Sequence, residues 1–329
     1  MGLVYLSRQT NTGQAHFAEE KHLGKIAFLF SGQGAQSPGM GVDLCAHYST
    51  AAHVYDEASN ALGYDILALS RDGGKEQLAQ TAVSQPLIYT LSLAIFSVLA
   101  ENGVHPDGGA GFSVGEVSAL SAANAMDTPT GFAVIDTRAK AMQAAAEQKA
   151  GTMFAILSAS AEDVENACAS VKGYAAPVNY NCPGQIVIAG EENAVVAAAQ
   201  KLKDSGAKTI RLSVNAAFHS KLMAPASETF YDKIKAFSFK KPDFPLFSNV
   251  TGKTFPNEEL PLYLKKQMIS PVRFANEIES LKIEGFDTFL EIGPGKTLCG
   301  FIRRGIKGAS TYPLEDSIKL EKCLKALGK

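Results

Sequence analysis

The sequence has no C-x-x-C pair, and its five cysteines, Cys45, Cys168, Cys182, Cys299 and Cys323, are odd in number and widely spaced. That argues against a disulfide framework and against a zinc knuckle, and fits a reducing compartment. Charge of one sign is also lacking. Lys and Arg number 31 against 33 Asp and Glu, a formal net charge of −2, which favours neither nucleic acid nor an anionic membrane as a partner. There is no unbroken apolar run of the ~18 residues a membrane helix needs. The opening stretch MGLVYLSRQTNTGQAHFAEEKHLGK lacks the continuous apolar centre of a secretory signal, and Leu6 stands where a myristoylation signal has Ser or Thr. The expectation is a cytoplasmic protein without a membrane segment. Internal repeats and low-complexity tracts are absent too.

What is present is an ordinary globular composition, 46% hydrophobic and 19% charged over 329 residues, enough for a large core or for a large domain carrying a smaller one. The apolar run IAFLF at 26–30, bounded by Lys25 and the turn SGQG, reads as a buried strand of a parallel sheet. Helix-like sequence begins near Val42. SQPLIYTLSLAIFSVLAENG has the length and apolar density of a buried helix closed by Gly103. From about Gly151 the texture changes. TMFAILSA reads as a strand, SAEDVENACASV as a helix opened by Ser160, APVNYNCPGQIVIAG as two strands about a turn, NAVVAAAQKLKDSG as a helix and AKTIRLSV as a strand. Two such β-α-β units predict a ferredoxin-like subdomain inserted into a larger α/β domain. FPLFSNV and DTFLEIG supply later strands of the large domain.

The chemistry centres on GFSVG at 111–115. A serine between two glycines can be a nucleophile on a tight strand-to-helix turn, exposed by its small neighbours, and it can equally be an ordinary loop. A serine hydroxyl needs a base, most often histidine. Of the six histidines, His16 and His22 lie in the polar N-terminal stretch, His47 and His53 in helix-like sequence, and His105 in a loop. His219, between the last subdomain strand and a new helix, is the best candidate, against the alternative of a histidine held by a backbone bond. No partner carboxylate stands out; a backbone carbonyl could orient the imidazole instead, giving a dyad. Gly32, Gln33 and Gly34 follow the first strand, where converging N–H groups could form an oxyanion hole or merely a connecting turn. Arg138 lies on an apolar helix, so a charge there needs a partner, and a substrate carboxylate would be one.

Together FSGQGAQSPGMG, SQPLIY, GFSVGEVSAL, DTRAKAMQ, VNYNCPGQIVIAG, AFHSKLM, SNVTGK, QMISPVRF and EIGPGKTL resemble, in family order, the malonyl-CoA:acyl carrier protein acyltransferase family. The resemblance runs from about Lys25 to the end. It implies an α/β fold: an α/β-hydrolase-like large domain with a parallel sheet core (25–149 and 214–329), an inserted ferredoxin-like small subdomain (150–213), and an N-terminal extension (1–24) with no assigned role. It implies Ser113 as nucleophile, His219 as base, the Gln33 and Val114 amides as oxyanion hole, Arg138 as holder of the malonyl carboxylate, and the Gln267 carbonyl as the group orienting His219. Asn179 and Asn181 match pocket-edge positions, and Phe218 matches a residue of malonyl-selective members. It implies malonyl-CoA as substrate, an acyl carrier protein as acceptor, and no need of a metal or other bound cofactor. A monomer is expected. Phe112 stands where the family usually has histidine; as a lining of the acyl pocket it would loosen selectivity. Ser31 stands where proline is common. The alternatives are an acyl hydrolase of the same fold acting on carrier-protein thioesters, an inactive carrier-docking module, and a generic serine esterase. Arg303, Arg304 and Lys307 are either a docking patch for an acidic carrier or a solvated face.

Overall fold

The structure, a computed structural model, describes residues 24–329; the expected N-terminal extension 1–24, with Leu6, His16 and His22, lies outside the described residues except for Gly24. Nine strands are present among the described residues: β1 (Lys25–Phe30), β2 (Gly108–Gly111), β3 (Thr152–Leu157), β4 (Ala175–Cys182), β5 (Gln185–Gly190), β6 (Lys208–Arg211), β7 (Leu246–Phe247), β8 (Phe286–Ile292) and β9 (Ser310–Pro313). Five form a parallel sheet in the order β7-β2-β1-β8-β9. Ala27 to Phe30 of β1 are fully buried, as a central strand covered on both faces requires. The chain leaves β1 for β2 on one side and later fills β8 on the other, so the carboxyl end of β1 is a topological switch point, the usual place for a ligand crevice in such sheets. Phe30 pairs with Gly111 and with Ile292. The loops after β1, β2 and β8 therefore open at one level.

The helix Thr81–Glu101 packs beside this sheet with most of its residues buried, and Gly103 at φ 67 ends it. By length and composition this helix could cross a membrane, but most of it is buried inside the protein, so core packing accounts for its hydropathy.

The second sheet is antiparallel, in the order β4-β5-β3-β6. One face packs on the helices Ala161–Ala169 and Glu192–Asp204 through Ile156, Ile188, Val164, Val195 and Leu202. Ser160 opens the first of these helices, its hydroxyl accepting the Asp163 N–H. The other face meets Ala217 and Leu222, the segment carrying His219. The edge strand β4 also joins the large domain by main-chain bonds, Tyr180 N–H to Val272 O at 2.8 Å and Val272 N–H to Val178 O at 2.9 Å. A cleft wall built by two-way backbone pairing holds β4 firmly against the large domain. The later part of the large sheet differs from the sequence reading: FPLFSNV yields only the two-residue β7, and β9 was not anticipated. Both are edge strands, too short for a readable alternation.

Candidate active site

Ser113 sits between β2 and the helix Val114–Ala122 with φ 56 and ψ −105, a conformation costly for a residue with a side chain. The flanking glycines make the turn possible by close approach. A Cβ on Gly111 would lie 2.2 Å from the Gly115 carbonyl carbon, and one on Gly115 would lie 2.0 Å from Phe30 O. The hydroxyl is thereby thrust out at the switch point. His219 also has a left-handed backbone, φ 58, and its Nε2 is 2.6 Å from Ser113 Oγ. Its Nδ1 lies 3.1 Å from the main-chain carbonyl of Gln267. A carbonyl can only accept, so Nδ1 carries the proton in the neutral ring and Nε2 is left to accept from the serine hydroxyl. Burial, with the Arg138 cation second, pushes the His219 pKa down to about 4. The ring is a neutral base across the physiological range.

Arg138 projects from the helix Thr128–Gln148 and is wholly buried. Nη1 donates to Gln85 Oε1 at 2.7 Å, and Nη2 to Gln267 Oε1 at 3.1 Å and to Ser113 Oγ at 3.3 Å; Nε has no acceptor. Burial pulls its pKa down to about 10, partly offset by Glu116, so it remains a cation. No carboxylate bonds to it among the described residues. Burying a charge without a counter-ion is expensive, and an incoming carboxylate beside Ser113 would supply one.

The loop after β1 touches the serine turn: a Cβ on Gly32 would come 2.9 Å from Phe112 O and 2.7 Å from Phe112 Cδ1. The N–H groups of Gln33, next in that loop, and of Val114, first in the helix, take part in no hydrogen bond among the described residues. Two unengaged donors on touching loops, one at a helix N-terminus, suit an oxyanion. Gln33 also donates through Nε2 to Thr81 Oγ1 at 3.4 Å.

The remaining expected residues divide. Phe218, directly before the base, packs both on the main core and on the face of the small sheet. Asn179 and Asn181, two apart on β4, are buried, and the Oδ1 atoms of both lack a partner among the described residues. Arg303 and Arg304 are exposed but engaged, with Thr311 and Gln185 respectively. The Phe112 ring packs on Phe274 and Phe301, centroids 5.5 and 6.2 Å away, and a Cβ on Gly32 would meet its Cδ1, so it braces the loop that carries Gln33. Phe112→His is therefore expected to hold malonyl transfer within about tenfold, roughly 1.4 kcal/mol in the barrier, to leave the malonyl-to-acetyl ratio unchanged, and to lower the thermal midpoint by loss of aromatic contacts worth about 1 kcal/mol. Rates on both thioesters and a melting curve check this; a shifted ratio would show that Phe112 lines the acyl pocket.

Sequence reasoning missed the polar floor of the site. Gln85 holds Arg138; the Gln267 side chain donates to Ser113 O at 2.9 Å. Below them Glu116 accepts from Tyr263 Oη at 2.6 Å and from the Asn249 N–H at 2.8 Å. Burial pushes the Glu116 carboxyl up to about 7, and that of Glu277, buried and facing Glu116, well above the usual range. An acid inside the apolar run VGEVSAL was the one available signal.

Comparison with known proteins bears on most of the chain. Residues 27–321 match the acyl transferase domain family. A malonyl CoA-acyl carrier protein transacylase of Bacillus subtilis is 37% identical over 310 residues, covering 93% of this chain and 98% of that protein. The crystal structure of the malonyl CoA-acyl carrier protein transacylase from Clostridium perfringens superposes with a TM-score of 0.89 at 36% identity, covering 92% of this chain and 97% of that one. A malonyl-transacylase in complex with a type II PKS acyl-carrier protein gives 0.88 at 35% identity, covering 92% and 99%. An α/β-hydrolase-like large domain with a ferredoxin-like subdomain, a turn-mounted serine and this sequence kinship agree, and the chain belongs to the malonyl CoA-acyl carrier protein transacylase family of acyl transferases.

Proposed function

We propose that the protein transfers the malonyl group of malonyl-CoA to the phosphopantetheine thiol of an acyl carrier protein, for fatty acid or polyketide synthesis, through a malonyl-serine ester. The observation that carries this reading is Arg138, a buried cation 3.3 Å from the nucleophile with an N–H to spare. His219 Nε2 takes the Ser113 proton as the hydroxyl attacks the thioester carbonyl. The oxyanion is received by the Gln33 and Val114 amides, and the C–S bond breaks as the imidazolium returns the proton to the CoA thiolate. The carrier thiol then gives its proton to His219, attacks the ester, and Ser113 leaves with the proton. Each half-reaction exchanges one acyl bond for another and balances its proton internally, so the steps call on no cofactor. All these groups come from one chain, in keeping with a monomer. An acyl hydrolase with neutral substrates would strand the guanidinium.

Intact mass after brief exposure to malonyl-CoA and, in parallel, acetyl-CoA tests the proposal. A malonyl adduct on Ser113, discharged by holo carrier protein, is expected; an acetyl adduct of equal extent, or hydrolysis without transfer, would overturn it. The base must be neutral, so activity is lost as pH falls through the His219 pKa. With that pKa lowered to about 4, kcat/KM for malonyl-CoA is expected to stay level from pH 8 down to roughly 5.5 and to fall only below it. An acid limb centred at the ordinary imidazole value of about 6.5 would contradict the buried, cation-facing histidine.

A further inference from the structure

Asn249 follows β7 in the turn Ser248–Thr251 and is 1% exposed. Its side chain spans the nucleophile turn. Oδ1 accepts the Ser113 N–H at 2.8 Å, while Nδ2 donates to Gly111 O at 2.6 Å and to Glu277 Oε1 at 3.0 Å. Its own N–H donates to Glu116 Oε1 at 2.8 Å, and its carbonyl accepts the Arg273 N–H at 2.8 Å. Gln267 Nε2, already bonded to Ser113 O, approaches Oδ1 at 3.4 Å. Every polar atom of Asn249 is thus engaged, and two of its bonds grip the main chain on either side of Phe112.

We infer that Asn249 is a positioning residue for acyl transfer, holding the serine turn in its strained conformation and leaving the Val114 N–H as the free amide of the turn. The inference rests on the transfer reading above. An L residue at φ 56 and ψ −105 persists only where its surroundings over-determine it, since such strain costs about 1–3 kcal/mol. Asn249 supplies that constraint from below. By taking the Ser113 amide it also decides which N–H points at the developing oxyanion. Glu116 and Glu277, buried and each with an unbonded Oε2, anchor the asparagine from two helices, Val114–Ala122 and Phe274–Ile283. Without Asn249 the turn can relax, and misplacing Oγ and the amide by about 1 Å costs on the order of 10²-fold.

The test measures malonyl transfer and phosphonylation of Ser113 by a fluorophosphonate, which needs no thioester. For Asn249→Ala, kcat is expected to fall on the order of 10²-fold with KM for malonyl-CoA within about threefold, and phosphonylation to slow in parallel. Retention of kcat within about threefold, or a loss confined to KM, overturns the inference. Asn249→Asp keeps an oxygen for the Ser113 N–H but turns an acceptor toward Gly111 O and Glu277. Of the titratable groups nearby, Glu116 and Glu277 bond Asn249 directly, the Arg273 main chain donates to its carbonyl, Tyr263 bonds Glu116, and Arg138 and His219 bond Ser113. A proton on the new acid can replace one lost donor, so this variant is expected to work best at acid pH and to lose kcat as pH rises. If the alanine variant does not fold, the aspartate variant decides: a profile parallel to that of the unaltered protein overturns the inference. Absence of a malonyl adduct on the unaltered protein would sink the transfer reading instead, and phosphonylation rates would still judge Asn249.

Discussion

Ser113→Ala is expected to abolish the malonyl adduct and to lower transfer by at least roughly 10⁴-fold, about 5 kcal/mol in the barrier. The change removes the oxygen that His219 Nε2 meets at 2.6 Å, its one hydrogen-bond partner among the described residues. Its structural effect should be small. The Ser113 main chain keeps its bonds to Asn249 Oδ1 and Gln267 Nε2, and alanine is not much less tolerant of positive φ than serine. A melting curve close to that of the unaltered protein, together with no mass gain on malonyl-CoA, is the expected pair of results. A malonyl adduct on another residue of the alanine variant would displace Ser113 from the mechanism.

The parts of this site legible in the sequence are those written in short local patterns. IAFLF is fully apolar because β1 is covered on both faces, and positions 111 and 115 require glycine because an added Cβ would collide with the main chain of Gly115 and of Phe30 respectively. Ser160 announces its helix because capping is a matter of three residues. Arg138 was legible as a charge on an apolar helix. The polar floor was not, since Gln85, Glu116, Asn249, Tyr263 and Glu277 come from five separate stretches and acquire meaning only by converging. Asn249 and Glu277 look in sequence like ordinary loop and surface-helix residues. Phe112 is next to the nucleophile in sequence, but its packing on Phe274 and Phe301 joins three distant stretches and leaves no local pattern to read.

Arg138→Ala is expected to lower kcat/KM for malonyl-CoA by roughly 10²–10³-fold, about 3–4 kcal/mol, and to raise the acetyl-to-malonyl ratio. The guanidinium is wholly buried and bonded to neutral acceptors only. A malonyl carboxylate completes its shell, whereas an acetyl group leaves it dry and unpaired. Removing the arginine therefore removes an attraction for one substrate and a penalty against the other. The truncation also leaves Gln85 Oε1 and Gln267 Oε1 without a donor, so a general loss of rate is part of the effect, and the ratio of the two substrates is the decisive quantity. A second readout separates the charge from the packing. Arg138 holds the His219 pKa down as the second cause after burial, so its loss should move the acid limb of kcat/KM upward in pH, though still below the ordinary imidazole value because burial persists. Arg138→Lys keeps the charge but not the planar fork, and is expected to hold the acid limb in place while recovering only part of malonyl transfer. An alanine variant with unchanged substrate ratio and unchanged acid limb would reduce Arg138 to a structural residue and leave the malonyl carboxylate without a partner in this pocket.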